Sequence, residues 1–414
     1  MAHIHDITAR EIIDSRGRPT VQATVVLSSG LEASAQVPSG ASTGSHEALE
    51  LRDKDDRYGG DGVKKAIKHI LKDIRDELLD MDAEDQQKID ETMIALDGTS
   101  NKKKLGANAI LAVSMACARA GALSAGKPLY RHLADVYGTT LKGAIPRPMM
   151  NIINGGRHAD NSLSIQEFMI VPSADTFEEQ LEFCVMTFRS LKTILHEQGY
   201  ATGLGDEGGF APNLEDNNQA LQLLMQAIDH AGYRQGIDVS IALDVAASEF
   251  MKGGTYEFEG KKLDATELIE LYKKWQEHYP IISIEDGLGE DDWANWQIMN
   301  RMLKDNMLIV GDDLFVTNKT RLEQGIDMEA ANAVLIKLNQ IGTVSETIET
   351  VQLAQKHNLT PVVSHRSGET TDDFIADLSV AINAPFIKAG APSRGERVVK
   401  YNRLLYIEER LTRS

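Results

Sequence analysis

Three carboxylates stand at the ends of short apolar runs in the sequence. Asp244 ends VSIALD, Glu285 ends IISIE, and Asp312 follows NMLIVG. If these runs are parallel strands of a barrel, their carboxyl ends meet at one rim and the three side chains converge there. Carboxylate oxygens without an imidazole or thiolate partner suit a hard cation, and Mg²⁺ keeps positions open for water and substrate. The alternative is that these residues are solvated rim charges or caps of the following helices.

Two lysines end further apolar runs and are poor candidates for helix caps. Lys337 ends AVLIK and Lys388 ends APFIK, and an ammonium group has no acceptor with which to cap a helix N-terminus. We expect Lys337 to enter the barrel mouth, where divalent cations and partial desolvation would lower its pKa toward that of a usable base. Its alternative role is to neutralise the carboxylates structurally.

Polar groups on glycine-containing loops supply further candidates. Glu207 lies in GLGDEGGFAP, where glycines let the chain approach a ligand closely, so its carboxyl is a candidate general acid. The same pattern also occurs in solvated turns. His158 in NGGRHADN, with Gln166 and Glu167 in SIQEF, lies on loops whose glycines permit lid motion, although a single histidine is more often structural.

The run SHRSGET places His365, Arg366 and Ser367 directly after another apolar run. A bidentate cation beside a hydroxyl suits a phosphate group, and Arg366 is the expected anchor. The glycine-rich loops contain neither GxxxxGK nor GxGxxG after a strand, which argues against nucleotide binding.

The elements that must position these residues follow from the hydrophobic pattern. From residue 139 onward, apolar runs alternate with amphipathic segments such as ATELIELYKKWQEHY, which predicts parallel strands with crossover helices. Charged or polar residues end many of these strands, whereas an open sheet concentrates its chemistry at one switch point. The pattern therefore favours an α/β barrel over residues 139–414.

The first third of the chain differs in pattern. Alternating apolar residues near Ile4 and Val21 predict antiparallel strands, and helical spacing follows in VKKAIKHILKDIRDELLDM, QQKIDETMIAL and LGANAILAVSMACARAGALSA. A sheet followed by helices predicts a compact α+β domain over residues 1–138.

Composition narrows the possible partners and the compartment. The 414 residues carry 62 acidic against 43 basic side chains, a net charge of -19, which argues against nucleic acid or a membrane surface as partner. Cys117 and Cys184 lie far apart in helical patterns, so we expect no disulfide and a reducing, cytoplasmic location. Neither a signal peptide nor a membrane span is expected.

Collinear segments along essentially the whole chain resemble the enolase family. They are GASTGSHEALELRD, MMNIINGGRHADN, QEFMIVP, GDEGGFAPNL, ALDVAASEF, SIEDGL, GDDLFVTN, LIKLNQIGTVSET, SHRSGET, IADLSVA, and IK before KYNRLLYIEE. The resemblance implies an N-terminal α+β domain, with a three-stranded antiparallel sheet plus helices, followed by an enolase-type β/α (TIM-like) barrel. It also implies a lyase that reversibly converts 2-phosphoglycerate to phosphoenolpyruvate and water in glycolysis and gluconeogenesis.

The resemblance further implies two Mg²⁺ ions per active site. Asp244, Glu285 and Asp312 match the primary magnesium ligands, and Ser39 in the VPSGAST loop matches the group that joins the second ion as the loop closes.

It also implies how the catalytic work is divided. Lys337 matches the base that removes the C2 proton, and Glu207 matches the acid that protonates the departing C3 hydroxyl, with Glu167 supporting it. Lysine bases with magnesium in enolase-superfamily sites are a general pattern. The matching substrate-binding positions are His158, Gln166, Glu167, His365, Arg366, Ser367 and Lys388.

Two departures from the family pattern flank Lys388, namely Ala389 and Gly395, and every residue with an implied chemical role is present. Three other interpretations stay open at this point: a related acid dehydratase on the same barrel, an aldolase using Lys337 as a Schiff base, and an additional non-catalytic surface-binding role. Family members form homodimers or rings of dimers, and some are found at the cell surface or secreted.

Overall fold

The computed structural model describes residues 2–40 and 44–413, and the chain begins with a three-stranded antiparallel sheet. Its strands are β1 (Ile4–Ile13), β2 (Pro19–Leu27) and β3 (Glu32–Gln36). The helices that follow are α1 (Lys64–His69), α2 (Arg75–Leu78), α3 (Gln86–Asp97), α4 (Ala107–Ser124) and α5 (Leu129–Val136), with a π-helical turn between α1 and α2. The predicted α+β architecture of this region is confirmed.

Helix α4 is the central element of this domain. It is rich in alanine, packs on β2 and β3, and buries nearly all of its residues. By length and composition it could cross a membrane, but 83% of it is buried among other parts of the protein, as in the core helix of a folded domain.

The second domain contains a closed barrel of eight strands. The strands of this domain are β4 (Arg147–Asn154), β5 (Glu167–Pro172), β6 (Val239–Asp244), β7 (Met251–Lys252), β8 (Thr255–Phe258), β9 (Lys261–Leu263), β10 (Ile281–Glu285), β11 (Leu308–Gly311), β12 (Ala333–Ile336), β13 (Thr360–Ser364) and β14 (Phe386–Lys388). The barrel order is β10-β11-β12-β13-β14-β4-β5-β6, while β7–β9 form a small separate sheet. The expected barrel is confirmed.

Helices surround the barrel and alternate with its later strands. They are α6 (Phe177–Glu197), α7 (Asn217–His230), α8 (Ala265–His278), α9 (Trp293–Leu303), α10 (Lys319–Asp327), α11 (Leu338–Ile341), α12 (Val344–Lys356), α13 (Phe374–Ala381) and α14 (Gly395–Thr412). Capping boxes start two of them, at Thr176 with Glu179 and at Asp264 with Glu267. Each satisfies free N–H groups of the first turn and fixes where the helix begins.

One strand departs from the predicted parallel arrangement. β5 is antiparallel to both β4 and β6, with Glu167 opposite Asp244. The segment between β4 and β5 holds only the short 3₁₀ turn Gly156–His158, and a parallel connection needs a longer crossover. Because β5 runs the opposite way, its first residue lies at the rim where the other strands end.

A buried polar cluster joins the N-terminal domain to the barrel. Asp90 of α3 accepts hydrogen bonds from the backbone N–H of Ser345 at 2.9 Å and its hydroxyl at 2.7 Å, and from Gln86 Nε2 at 3.0 Å. Asp90 is fully buried, and burial raises its pKa.

We expect Asp90→Ala to lower the free energy of unfolding by about 3 kcal/mol, because it leaves several buried donors without an acceptor. Urea denaturation measures the loss. The exposed Glu91→Ala on the same helix should change stability by less than about 0.5 kcal/mol. Equal values for the two variants would show that this cluster does not stabilise the domain contact.

Candidate active site

The carboxyl ends of the barrel strands bring most of the predicted residues together. Asp244 and Glu285 are the last residues of β6 and β10, and Asp312 follows β11 directly. Lys337 follows β12, and Lys388 ends β14. Their shared position at one rim follows from the strand directions of the barrel.

A cavity opens at this rim. The sequence-predicted residues that line it are His158, Gln166, Glu167, Glu207, Asp244, Asp312, Lys337, His365, Arg366, Ser367 and Lys388. Two predicted residues are not part of the lining, namely Glu285, which contacts Lys388, and Ser39.

The ammonium of Lys388 contacts several carboxylates at once, in the way that a metal cation would. Its ammonium lies 2.8 Å from Asp244 Oδ2, 2.9 and 3.0 Å from the two oxygens of Glu285, and 3.3 Å from Glu167 Oε1. Although burial lowers the pKa of Lys388, these carboxylates raise it well above its usual range. The donor set around the ammonium consists of oxygens alone, which fits a hard cation such as a divalent metal.

Lys337 is held by the third predicted ligand. Its ammonium donates to Asp312 Oδ2, and Asp312 Oδ1 accepts from Gln340 Nε2 at 2.8 Å. Burial lowers the pKa of Lys337, but Asp312 raises it, and the net pKa lies above the usual value. The lowered pKa expected from the sequence depends on divalent cations near Lys337 and stays a prediction. The raised pKa arises because the Asp312 carboxylate lies in direct contact with the ammonium.

Two aspartates that the sequence analysis did not single out lie beside Asp312. Asp286 accepts the backbone N–H groups of Asp312 and Asp313, both at 2.9 Å, so its two oxygens orient the β11 end. Burial and the charge of Asp312 raise the pKa of Asp313 to about 8. The sequence signal that could have identified Asp286 and Asp313 is that each directly follows a predicted ligand, in the acidic pairs Glu285–Asp286 and Asp312–Asp313.

The candidate acid lies in a buried group of carboxylates and imidazoles. Glu207 Oε2 accepts from Asn151 Nδ2 at 3.0 Å, and Glu207 Oε1 lies 3.4 Å from His365 Nε2 and 3.6 Å from His158 Nδ1. Burial raises the pKa of Glu207, but its interactions with His365, His158 and Arg397, those with His365 foremost, bring it well below its usual value. Burial also lowers the pKa of His365 to about 4.

Gln166 and Glu167 each present a buried oxygen to this site. Among the described residues, Gln166 Oε1 and Glu167 Oε2 have no hydrogen-bond partner. Buried polar atoms are normally paired, and their position in the cavity lining makes both available to a ligand. Burial, followed by the charge of Glu207, raises the pKa of Glu167 well above its usual value.

Arg366, the expected phosphate anchor, contacts a carboxylate that the sequence analysis missed. Both terminal nitrogens donate to Glu47, at 3.1 and 3.0 Å, and the two side chains are 4% and 7% exposed. Glu47 also accepts from the backbone N–H of Gly44 at 3.2 Å. Only its closeness in sequence to the VPSGAST loop marked Glu47 beforehand.

In this conformation Ser39 forms hydrogen bonds with residues other than the proposed metal ligands. Its hydroxyl donates to Asp14 Oδ2 at 2.7 Å and accepts from Arg16 Nη2 at 3.2 Å, and its backbone pairs with Gly368. The rest of the predicted loop, residues 41–43, lies outside the described residues. The role of Ser39 as a metal ligand stays a prediction.

The fold and the site together define a TIM-barrel enzyme whose acidic rim takes a divalent cation and a small anionic substrate. The family model "Enolase, N-terminal domain" matches residues 4–133, and "Enolase, C-terminal TIM barrel domain" matches residues 142–414. A curated protein named Enolase, from a Nitratiruptor species, is 55% identical over 414 residues, covering 99% of this chain and 97% of that protein. The chain belongs to the enolase family.

Family membership confirms the reaction expected from the sequence. The chain is a hydro-lyase, a phosphopyruvate hydratase, which dehydrates 2-phosphoglycerate to phosphoenolpyruvate in glycolysis with a divalent metal. The related acid dehydratase and the aldolase are thereby set aside as the principal activity.

Proposed function

We propose that Lys337 removes the C2 proton of 2-phosphoglycerate and Glu207 protonates the C3 hydroxyl as it leaves. The observation that supports this division is that a lysine on a strand end and a carboxyl on a separate loop line one cavity. The two groups can therefore reach different atoms of one small substrate. Isotope exchange at C2 tests proton removal, and absorbance of phosphoenolpyruvate tests elimination in the same sample.

Proton removal requires a neutral Lys337 amine. The Asp312 carboxylate favours the protonated form, so any cation that competes for Asp312 favours the base. Elimination in turn requires a protonated Glu207, whose pKa is low in this structure. A substrate that brings about three negative charges into the cavity raises that pKa and favours the acid form.

The metal is proposed to be Mg²⁺, with two ions per active site. Asp244, Glu285 and Asp312 would hold the first ion, because they offer oxygen donors that now bind ammonium groups. When bound, Mg²⁺ supplies positive charge that stabilises the substrate carboxylate as negative charge accumulates there after proton loss. Two ions are proposed because about seven negative charges from ligands and intermediate exceed what one ion, Arg366 and Lys388 balance.

Arg366, Ser367 and Lys388 are proposed to bind the anionic groups of the substrate, and His158, Gln166, Glu167 and His365 to complete its pocket. The guanidinium of Arg366 offers a bidentate fork to phosphate. Lys388 lies beside the proposed metal ligands, which supports the proposal that its ammonium binds the carboxylate end of the substrate.

The second Mg²⁺ provides a prediction about the loop. We expect Ser39→Ala to weaken the second, weaker phase of Mg²⁺ binding about tenfold while sparing the first, because only a loop ligand is removed. Isothermal titration calorimetry in the presence of substrate resolves the phases. Ser42→Ala is the matched variant, since Ser39 is bound to Asp14 in this conformation. A loss in Ser42→Ala alone would transfer the role to Ser42.

Glu47 leads to a prediction about phosphate binding. Because Glu47 covers both terminal nitrogens of Arg366, we propose that it competes with the substrate phosphate. Glu47→Gln is then expected to lower the Kd for inorganic phosphate about tenfold, which fluorescence or calorimetric titration measures.

The control for this variant is Glu290→Gln. Glu290 accepts hydrogen bonds from Ser45 in the same segment as Glu47, and removing its charge should leave phosphate affinity unchanged. Weaker phosphate binding in Glu47→Gln would mean that Glu47 orients Arg366 and does not compete for it.

We propose that the protein works in the cytoplasm as a homodimer or a ring of dimers, with domains meeting near residues 138 and 139. A second, surface-binding role is the alternative that catalysis does not exclude.

Borohydride treatment with substrate tests the aldolase chemistry, and it should trap no covalent adduct on Lys337.

A further inference from the structure

Arg397 is a fully buried arginine that contacts the active site without lining its cavity. It lies in the first turn of α14. Its Nη1 group lies 2.5 Å from His365 Nδ1. Gly390 gives the side chain room, because a Cβ there would lie 2.8 Å from Arg397 Cδ.

The other contacts of Arg397 tie two active-site segments together. Nη1 donates to the carbonyl of Arg366 at 2.7 Å, and Nη2 donates to the carbonyls of Ser367 at 2.6 Å and Asp206 at 3.3 Å. Asp206 precedes the candidate acid directly in sequence. Arg397 therefore holds the loop that carries Glu207 against the segment that carries His365.

The chemistry of the two side chains fixes the proton on the imidazole. A guanidinium has donors only, so a hydrogen bond between Arg397 and His365 requires a lone pair on Nδ1. A neutral imidazole then carries its single proton on Nε2. That nitrogen is buried, lies 3.4 Å from Glu207 Oε1 and has no hydrogen-bond partner among the described residues, so its N–H group is available to the Glu207 carboxylate.

We propose that Arg397 is a positioning residue that holds His365 as the neutral Nε2–H tautomer, so that this N–H group always faces the acid Glu207. The opposite tautomer would point a lone pair at the carboxylate that Glu207 becomes after it gives up its proton. The Nε2–H group instead stabilises that carboxylate and makes Glu207 a stronger acid. This inference rests on the proposed role of Glu207.

The groups facing His365 agree with a neutral ring. Burial lowers the pKa of the imidazole to about 4, Glu207 raises it, and Arg397 lowers it further. A second proton would have to be placed on Nδ1, directly against the guanidinium. His365 thus presents an N–H group toward the acid and is not a separate proton source near pH 7.

The direct test uses the wild-type enzyme with Mg²⁺ and ¹⁵N-labelled histidine. Nitrogen NMR should show His365, assigned by its loss in His365→Gln, with a protonated Nε2 and an unprotonated Nδ1. A protonated Nδ1 would overturn the proposal without any reliance on a variant.

Kinetics of Arg397→Met separate positioning from a structural role. We expect kcat for phosphoenolpyruvate formation to fall about 100-fold, the scale of general-acid catalysis, while KM and C2 deuterium exchange stay within about twofold. Arg397→Lys should recover part of kcat, since one ammonium donor can still reach Nδ1. The control Arg403→Met lies on the same helix and pairs with Asp377, and it should keep normal turnover.

The outcomes distinguish this inference from the proposed function. Parallel losses of exchange, elimination and substrate affinity in Arg397→Met would show a merely structural residue. If Glu207→Gln itself loses exchange, the proposed division of roles fails first, whereas the tautomer of His365 is measured independently of that result.

Discussion

Glu207→Gln is expected to exchange the C2 hydrogen of 2-phosphoglycerate with solvent deuterium at close to the wild-type rate while forming at least about 100-fold less phosphoenolpyruvate. General-acid catalysis contributes about 10²- to 10⁴-fold, and glutamine has no acidic proton to give. Glutamine still accepts from Asn151, which bonds Glu207 Oε2 at 3.0 Å, so the loop should keep its position. NMR at C2 in deuterated buffer and product absorbance measure the two steps in one sample.

Lys337→Ala provides the paired result. It should lose both exchange and product formation by about 10³-fold or more, because the base acts before elimination. The matched control is Lys319→Ala, a half-exposed lysine near Glu349 at the surface, which should behave as wild type. If Glu207→Gln abolished exchange and Lys337→Ala kept it, the two roles would be reversed.

Asp312→Ala is expected to weaken the first Mg²⁺ by at least about 100-fold and to remove nearly all turnover. Asp312 is the ligand that also contacts Lys337, so its loss affects the metal and the base together. We expect the fold to be kept but the stability to fall, because the substitution relieves repulsion with Asp286 and Asp313 yet leaves the buried Lys337 ammonium and Gln340 Nε2 without this acceptor.

Calorimetric titration of Mg²⁺ and circular dichroism measure these effects separately. Asp327→Ala, at an exposed position at the end of α10, should change neither Mg²⁺ affinity nor turnover. Unchanged Mg²⁺ affinity in Asp312→Ala would show that Asp312 is not a ligand.

The strand ends were predictable from sequence because each apolar run stops at the residue where a charged side chain appears. Apolar runs that end in Asp244, Glu285 or Lys337 indicate both a buried strand and the rim at which it ends. The reversed direction of β5 was not predictable in this way, because a polar segment does not show in sequence whether the strand after it runs parallel or antiparallel to the strand before it. As a result, Glu167 was assigned to a loop, whereas it begins a strand at the rim.

Contacts between segments distant in sequence could not be predicted from spacing. Glu47 reaches Arg366, and Arg397 reaches His365, across separations of 319 and 32 residues. Charged side chains in helices and loops are usually solvated, so nothing local marks the few that are buried. The pKa of Lys337 likewise depends on its contact with Asp312, which only the folded chain creates.

A metal-dependent elimination on 2-phosphoglycerate can be measured directly on this barrel. The measurement is the ultraviolet absorbance of the enol phosphate formed from 2-phosphoglycerate by the chelator-treated protein, before and after Mg²⁺ is added. We expect no appreciable product without Mg²⁺ and steady formation of phosphoenolpyruvate after its addition. Equal rates with and without Mg²⁺, or no product in either sample, would contradict a metal-dependent elimination by this protein.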